Sequence, residues 1–387
     1  MKKKILLGPF VGEFGWEYSF FSGYANEIYM RLFSEFEVHV ASYAGRKNFY
    51  DENIIFHSHP DWFTDLNLSQ HGYIADNWVD LWPKNSNLEG DKDIMNRYLE
   101  LKRYYENAFG PFDKILSPAE LFECPLNSDH VYGTYLPSLI YIRNKKLNQL
   151  LTKYIYPIYL RLESFHSMKQ LIPTNEGRTL FSKKYQISET DQFICLFPRK
   201  RVGRRPEKNW GIDNYNSLIN GLSNYFPSHK ILLLGEPNGS CYVNSSDFPE
   251  KCLDLINIDK SSRLDIHLAA LERSTFAVGG LSGALLIALG SKTPVIEWGS
   301  SVHKPETERL NWLGTPLCYI EEINPKVNYV LECINNFVEN NFHHHKAYSN
   351  TIHEITHYDS KLEMLLRTCF YKFFKMVLIA RIFIRGR

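Results

Sequence analysis

The sequence predicts an α/β protein of two domains, each a doubly wound parallel sheet covered by helices. Three observations carry this expectation. Residues 275–299 read as strand, glycine-rich turn, small-residue helix and strand; from Phe193 onward short apolar runs alternate with helical stretches; and the chain opens on a separate β-loop-α-β pattern at Lys4. At 387 residues the chain exceeds what one core usually supports, so two domains of roughly 150–190 residues each are expected. The boundaries read as 1–175 and 190–342, with Pro173-Thr-Asn-Glu-Gly177 as linker and 343–387 as a C-terminal helical tail.

In the first domain, Lys4–Leu7 is a short strand, a glycine-rich loop leads into a helix reaching about Phe33, and Phe36–Ala41 is the next strand. The loop, Gly8-Pro-Phe-Val-Gly-Glu-Phe-Gly-Trp-Glu17, carries two carboxylates at the C-terminal end of the first strand, where open α/β sheets bind ligands. Either is a candidate base. Glu17 has a structural alternative, because an acid in a first helical turn complements the macrodipole. Glu13, inside Gly12-Glu-Phe-Gly15, has no helix of its own to stabilise, which points to function.

Residues 45–135 are the least legible, with aromatic-rich stretches such as Asp61-Trp-Phe63 and Asp76-Asn-Trp-Val-Asp80 that suit an acceptor cleft or a core equally. His57 and His59 lack a third nearby metal ligand and read as an ordinary loop. Residues 144–170 look helical.

The second domain begins with a strand, Phe193–Phe197, followed by Pro-Arg-Lys-Arg-Val-Gly-Arg-Arg-Pro-Glu-Lys-Asn-Trp210. Arg199, Lys200, Arg201, Arg204, Arg205 and Lys208 therefore follow a strand's C-terminal end, and guanidinium groups match phosphate oxygens in a bidentate way. The alternatives are a solvated basic loop or a nucleic-acid patch, although a net charge of +1 lacks the basic excess of most nucleic-acid binders. A helix across Ile212–Tyr225, a strand at Lys230–Leu234 ending in Gly235-Glu236-Pro237, a short strand at Leu253–Ile258 and a helix at Arg263–Arg273 follow. The run Phe276–Val278 then breaks at Gly279 and Gly280, a helix covers Ser282–Leu289, Thr293–Glu297 is a strand, and Pro325–Val338 is the last helix.

The Gly279-Gly-Leu-Ser-Gly283 turn lets backbone approach a ligand, and Ser282 can cap the helix whose N-terminus attracts anions; the alternative is a tight turn with no ligand. Glu297, before Trp298-Gly299, either grips ribose or sugar hydroxyls or is a strand-end acid in water; His303 and Lys304 follow in a loop beside the phosphate site. Glu236 joins Gly280, Ser282 and Gly283 as a donor-binding candidate.

The seven cysteines (124, 195, 241, 252, 318, 333, 369) are scattered singly, which argues against a disulfide framework or a zinc site. His343-His-His345 cannot all face one ion from a helix or strand and reads as a surface run. The N-terminal apolar run is too short for a signal peptide, and no segment reaches the ~18 apolar residues of a spanning helix. A cytoplasmic protein is expected.

Two Rossmann-like halves, an acid in the first glycine-rich loop, a basic strand end and Gly-Gly-x-Ser-Gly before Thr-Pro-Val-Ile-Glu-Trp-Gly together resemble glycosyltransferases of the GT-B type, nearest the heptosyltransferase-like (family 9-like) group. The resemblance implies two Rossmann-like domains facing across a cleft, an acceptor domain first and a nucleotide-sugar donor domain second. It assigns the base to Glu13, the diphosphate contact to Arg199 or Lys200, and the donor-phosphate turn to Ser282 and Gly283. The match departs where the family has a His after its Ser/Thr-Gly, for Leu285 and Leu286 stand here. The basic strand end also resembles GT-B fucosyltransferases.

The implied activity is sugar transfer from a nucleotide-activated donor to a hydroxyl, in surface polysaccharide, lipopolysaccharide or glycoconjugate synthesis. A nucleotide-sugar 2-epimerase or a non-catalytic nucleotide- or carbohydrate-binding protein are the alternatives. No cofactor is implied beyond the donor. Cations in place of a metal would stabilise the leaving phosphate, and the Asp91-Lys-Asp93 pattern reads as a polar loop, so metal independence is expected. The expected partners are the donor and a glycan or lipid-linked acceptor. The tail from Tyr371 to Arg387 has five cations, no acid and apolar residues between them, which suits peripheral attachment to an anionic membrane surface or, alternatively, packing across the first domain.

Overall fold

The computed structural model of the chain describes residues 2–11, 14–64, 89–116, 169–201, 206–243, 248–301 and 303–342. Its architecture is α/β, with two parallel sheets. Strands β1 (Lys3–Leu7), β2 (Phe36–Ser42), β3 (Ile55–Ser58) and β4 (Lys114–Leu116) form the first, in the order β3-β2-β1-β4 with every neighbour parallel.

Because side chains alternate along a strand, β1 sends Ile5 and Leu7 to one face and Leu6 to the other, and all three are buried. The Ile5 face is covered by helix α1, which runs as an α-turn Phe14–Trp16, a π-helical turn Glu17–Phe21 and an α-helix Ser22–Leu32. Ser19 and Ser22 donate their hydroxyls to the carbonyls of Gly15 (2.6 Å) and Tyr18 (2.9 Å), a local competition with the backbone ladder at the point where the helix widens. The Leu6 face is covered by helix α2 (Glu89–Phe109), whose Tyr98, Leu101 and Tyr105 are spaced on one side. Asp91 and Asp93 lie in that helix rather than in a loop.

The second sheet contains β5 (Gln192–Phe197), β6 (His229–Leu233), β7 (Cys252–Asp254), β8 (Ser274–Gly280), β9 (Val295–Trp298) and β10 (Leu317–Ile320), in the order β10-β9-β8-β5-β6-β7, again all parallel. The near-continuous apolar run of β5 is what a strand buried on both faces requires. One face meets helix α4 (Ile212–Tyr225), through Tyr215, Leu218, Ile219 and Leu222, and helix α8 (Val327–Glu339). The other meets helices α5 (Arg263–Glu272) and α6 (Leu286–Gly290).

Several boundaries differ from expectation. The strand does not break before Gly279 and Gly280; they are the last two residues of β8 and pair with Glu297 and Trp298 of β9. The run read as a linker starts helix α3 (Asn175–Lys184), with the Thr174 hydroxyl accepting from Gly177 N at 3.0 Å as its cap. This helix packs on α5, where Arg178 makes a bidentate pair with Glu272 at 2.7 Å to each oxygen. The short strand expected at Leu253–Ile258 spans only Cys252–Asp254. The loop expected at His303–Lys304 opens helix α7 (Lys304–Leu310). Residues 144–168, His343–His345 and the 371–387 tail lie outside the described residues.

The two sheets share one hydrophobic core: Ile5, Leu7 and Phe21 belong to the same cluster as Phe193, Leu268 and Ile287. Glycine makes the junction possible. A Cβ on Gly15 would stand 2.8 Å from the Cα of Gly283, and one on Gly283 would stand 2.8 Å from the Cα of Gly15. Gly45, at φ +78, lies so close to the backbone of Lys260 and Ser261 that a Cβ would stand 2.5 Å and 2.7 Å from their carbonyl oxygens.

Candidate functional site

The order of the second sheet contains a switch: from β5 the chain builds outward through β6 and β7, then returns to β8 on the other side of β5 and builds outward through β9 and β10. A crevice opens at the carboxyl ends of strands flanking such a switch point. Here it becomes a cleft between the two sheets, with about 820 Å³ of open space including its mouth. The second domain contributes the segments after β5 (Phe197–Arg199 and Arg201), after β6 (Leu234–Glu236), before and within α5 (Lys260, Arg263, His267), and after β8 (Ser282–Ala284). The first domain contributes Phe14 and, after β2, Ala44, Gly45 and Arg46.

Charge is concentrated in this cleft. Among the described residues, Arg46, Arg199, Arg201, Lys260 and Arg263 line it with one carboxylate, Glu236, whereas the whole chain carries +1. Burial draws the Arg263 guanidinium below its usual pKa, partly offset by Glu236 and Asp259, and one of its hydrogen-bonding groups, Nη2, donates to Ile258 O at 2.8 Å. Arg199 is 7% exposed; its Nη1 donates to Asn209 Oδ1 at 2.6 Å and its backbone N to the Tyr215 hydroxyl at 3.0 Å. His267 is buried with Nε2 on Leu255 O at 2.7 Å, and burial holds its pKa at about 4, so it stays neutral at pH 7.

The sequence candidates separate on this geometry. Arg199, Glu236, Ser282 and Gly283 line the cleft. Lys200 is exposed and outside the lining, whereas its neighbours Arg199 and Arg201 line it. Ser282 does not cap a helix: the turn at 283–285 intervenes, and α6 begins at Leu286 with Leu285 at its cap. The backbone N–H groups of Ser282, Gly283 and Ala284 make no hydrogen bond among the described residues. Gly283 also has a packing reason to be glycine, its contact with Gly15.

Gly280 and Glu297 do not line the cleft. A Cβ on Gly280 would press on the buried Trp298 ring at 3.0 Å from Nε1, and Glu297 is 1% exposed inside the sheet rather than water-facing at its end. His303 sits at the N-cap of α7 and is likewise outside the lining. Glu13 and Arg204 lie outside the described residues.

Glu17 is fully buried behind the cleft wall. Its Oε1 accepts from the Ser42 hydroxyl and, at 2.6 Å, from the Tyr50 hydroxyl, and its Oε2 pairs with Arg46. This is an anchoring site for a cation, not a carboxylate presented to a substrate. His57 and His59 also have structural posts: His57 Nε2 meets His39 Nδ1 at 2.8 Å, while His59 is buried between Phe10 O (2.7 Å) and the Tyr105 hydroxyl (2.8 Å). No group of three metal-ligating side chains occurs among the described residues.

Arg46, Lys260 and Arg263 were not singled out from sequence. Arg46 had a signal: it follows Gly45 just past a strand's C-terminal end, the same position that marks Arg199. Lys260 and Arg263 look like any helix approach until α5 is seen to point its N-terminal end at the cleft.

No protein-family model matches the chain, and no curated protein matches it in sequence. Among solved structures the fold is similar to the E. coli ADP-heptose lipopolysaccharide heptosyltransferase II, with 14% identity over 88% of this chain and 99% of that one and a TM-score of 0.46. It is similar to a family 9 glycosyl transferase from Veillonella parvula, with 10% identity over 87% and 97% and a TM-score of 0.46. A UDP-GlcNAc 2-epimerase from Neisseria meningitidis bound to UDP-GlcNAc is also similar, with 12% identity over 88% and 93% and a TM-score of 0.36.

Proposed function

We propose that the protein is a glycosyltransferase that takes a sugar from a nucleoside diphosphate donor to a hydroxyl acceptor. The observation that carries this is the cleft at the carboxyl ends of both parallel sheets, lined among the described residues by four arginines, one lysine and one carboxylate. A sugar leaving its diphosphate transfers negative charge to the phosphate oxygens as the anomeric bond breaks. Cations fixed in a partly buried cleft stabilise that charge without reorganising, the same principle by which a single preorganised donor in an acyl-transfer oxyanion hole is worth about 2.7–4 kcal/mol.

In this reading Arg199 and Arg263 grip the diphosphate from the second domain, and the turn at Ser282–Ala284 adds backbone amides. Glu13, the neighbour in sequence of the cleft residue Phe14, takes the acceptor proton. The acceptor is a glycan or lipid-linked hydroxyl in polysaccharide, lipopolysaccharide or glycoconjugate synthesis, and the 371–387 tail holds the enzyme at an anionic membrane surface. No helix among the described residues is long and apolar enough to cross a membrane.

The test is incubation of the protein with a panel of nucleoside diphosphate sugars, following free nucleoside diphosphate and sugar configuration. Release of nucleoside diphosphate, by transfer or hydrolysis, is expected, and Glu13→Gln should slow it by about two to four orders of magnitude. A change of configuration at C2 with the donor otherwise intact would make the protein an epimerase, and binding alone would make it non-catalytic.

A further inference from the structure

One cation in the cleft comes from the other domain. Arg46 stands after β2 of the first sheet, its side chain 12% exposed, and it is held on every side. Nη1 is paired with the buried Glu17, itself fixed by Ser42 and Tyr50. The guanidinium carbon Cζ lies over the rings of Tyr43 (4.4 Å to the centroid) and Phe14 (5.0 Å). Nη2 reaches across the cleft toward Glu236 Oε1 of the second domain, at 3.9 Å. That distance is an ion pair without a hydrogen bond, and Glu236 is 42% exposed.

We infer that Arg46 is the first domain's anion-binding residue, positioned by Glu17 and occupied by Glu236 until the diphosphate group of a ligand displaces that carboxylate. This rests on the reading of the cleft as a diphosphate site and adds to it a contact from the opposite domain. The two ends of Arg46 differ in strength. The Glu17 end is buried and charge-assisted, whereas the Glu236 end is long and solvent-exposed, the class of pair worth little. A diphosphate entering between Arg46 and Arg263 therefore exchanges a weak partner for a bidentate one while Glu17 keeps the guanidinium aimed. Burial alone would lower the pKa of Arg46, but the two carboxylates raise it above the ordinary value, so its charge persists throughout. Glu17 is thus a positioning residue acting through Arg46. Glu236 is a placeholder whose removal frees the site.

The opposite signs of these roles make the test. Binding of inorganic pyrophosphate, ADP, GDP and UDP to the full chain is measured by titration calorimetry for wild type, Arg46→Lys and Glu236→Gln, with thermal melting of each. Arg46→Lys should weaken binding of the diphosphates by about 10–100-fold, since lysine cannot keep Glu17 and a bidentate anion together. Glu236→Gln, a change at the exposed rim, should tighten binding about two- to five-fold. A purely structural pair would lower melting temperature in both variants and tighten binding in neither.

If Glu236→Gln binds diphosphates as wild type does or more weakly, the placeholder role is wrong whatever becomes of Arg46→Lys. If a folded Arg46→Lys binds as wild type does, Arg46 does not touch the anion. Failure of wild type to bind any of the four probes would remove both this inference and the function proposed above, whereas the first two outcomes remove this inference alone.

Discussion

The contact between Gly15 and Gly283 can be tested by adding one methyl group. In Gly283→Ala the new Cβ would stand 2.8 Å from the Cα and 2.9 Å from the N of Gly15. Carbon atoms in ordinary contact sit at about 3.5–4.0 Å, so the two turns must part by roughly 0.7–1.2 Å. Both sides of the contact are backbone, so no flexible side chain can absorb the shift. Overpacking of this kind costs about 1–3 kcal/mol, and replacing glycine recovers about 0.4–1 kcal/mol from the unfolded chain, leaving a net loss of about 1.3 kcal/mol at the middle of the two ranges.

The control is Gly239→Ala, at a glycine where a Cβ would meet nothing within 4 Å and φ is not positive, which should be neutral or slightly stabilising. Urea midpoints followed by circular dichroism and by tryptophan fluorescence measure both. Because one core runs through both sheets, the two signals should coincide in a single transition. Gly15→Ala combined with Gly283→Ala should cost less than the sum of the two, since the second methyl enters a gap the first has opened. Equal midpoints for Gly283→Ala, Gly239→Ala and wild type would refute the close approach and, with it, the description of the domain junction.

Glu17→Gln should destabilise the fold by about 3–5 kcal/mol, because among the described residues it leaves Arg46 with the exposed Glu236 as its carboxylate partner; loss of turnover with an unchanged melting curve and unchanged diphosphate affinity would instead make Glu17 the base. Burial holds the folded-state pKa of His267 at about 4 and that of His59 at about 3, both below the usual 6.5. The unfolded chain therefore takes up protons below pH 6.5 that the folded chain refuses. The stabilisation is complete above that pH and should fall by about 1.4 kcal/mol per pH unit per histidine as pH drops toward 4. His267→Gln should flatten the slope of urea midpoint against pH between 6.5 and 4.5, and an unchanged slope would exclude His267 as a source. Activity on a nucleoside diphosphate sugar should persist in EDTA, as expected of a cleft that meets its anion with arginines; a loss restored by magnesium or manganese would overturn this.

Much of the architecture was legible in the chain. Parallel strands buried on both faces must be runs such as Phe193-Ile-Cys-Leu-Phe197, and helices between them must show the spacing of Tyr215, Leu218, Ile219 and Leu222, so local pattern alone specified an α/β protein with two sheets. The position rule for ligands at strand ends pointed to Arg199 and the glycine-rich turn pointed to Ser282, and both line the cleft. Short elements escaped, among them the four-residue β10 and three-residue β4, because so few residues carry no periodicity.

Which side chains meet across space was decided only by the tertiary structure. Nothing local distinguishes Lys200 from Arg199, yet Arg199 is buried in the cleft wall and Lys200 is exposed outside it. Glu17 and Arg46 are 29 positions apart, and only the stacking of α1 on β2 joins them into a buried pair and turns a candidate base into an anchor. Gly280 and Gly283 read alike in one glycine-rich turn, but the first yields to Trp298 from the neighbouring strand and the second to Gly15 from the other domain. The sequence by itself determined the periodicities, and hence the sheets and their covering helices, because those depend on neighbours within a turn or a strand. The identity of the cleft-lining charges depended on packing between segments far apart in the chain, which no local pattern encodes.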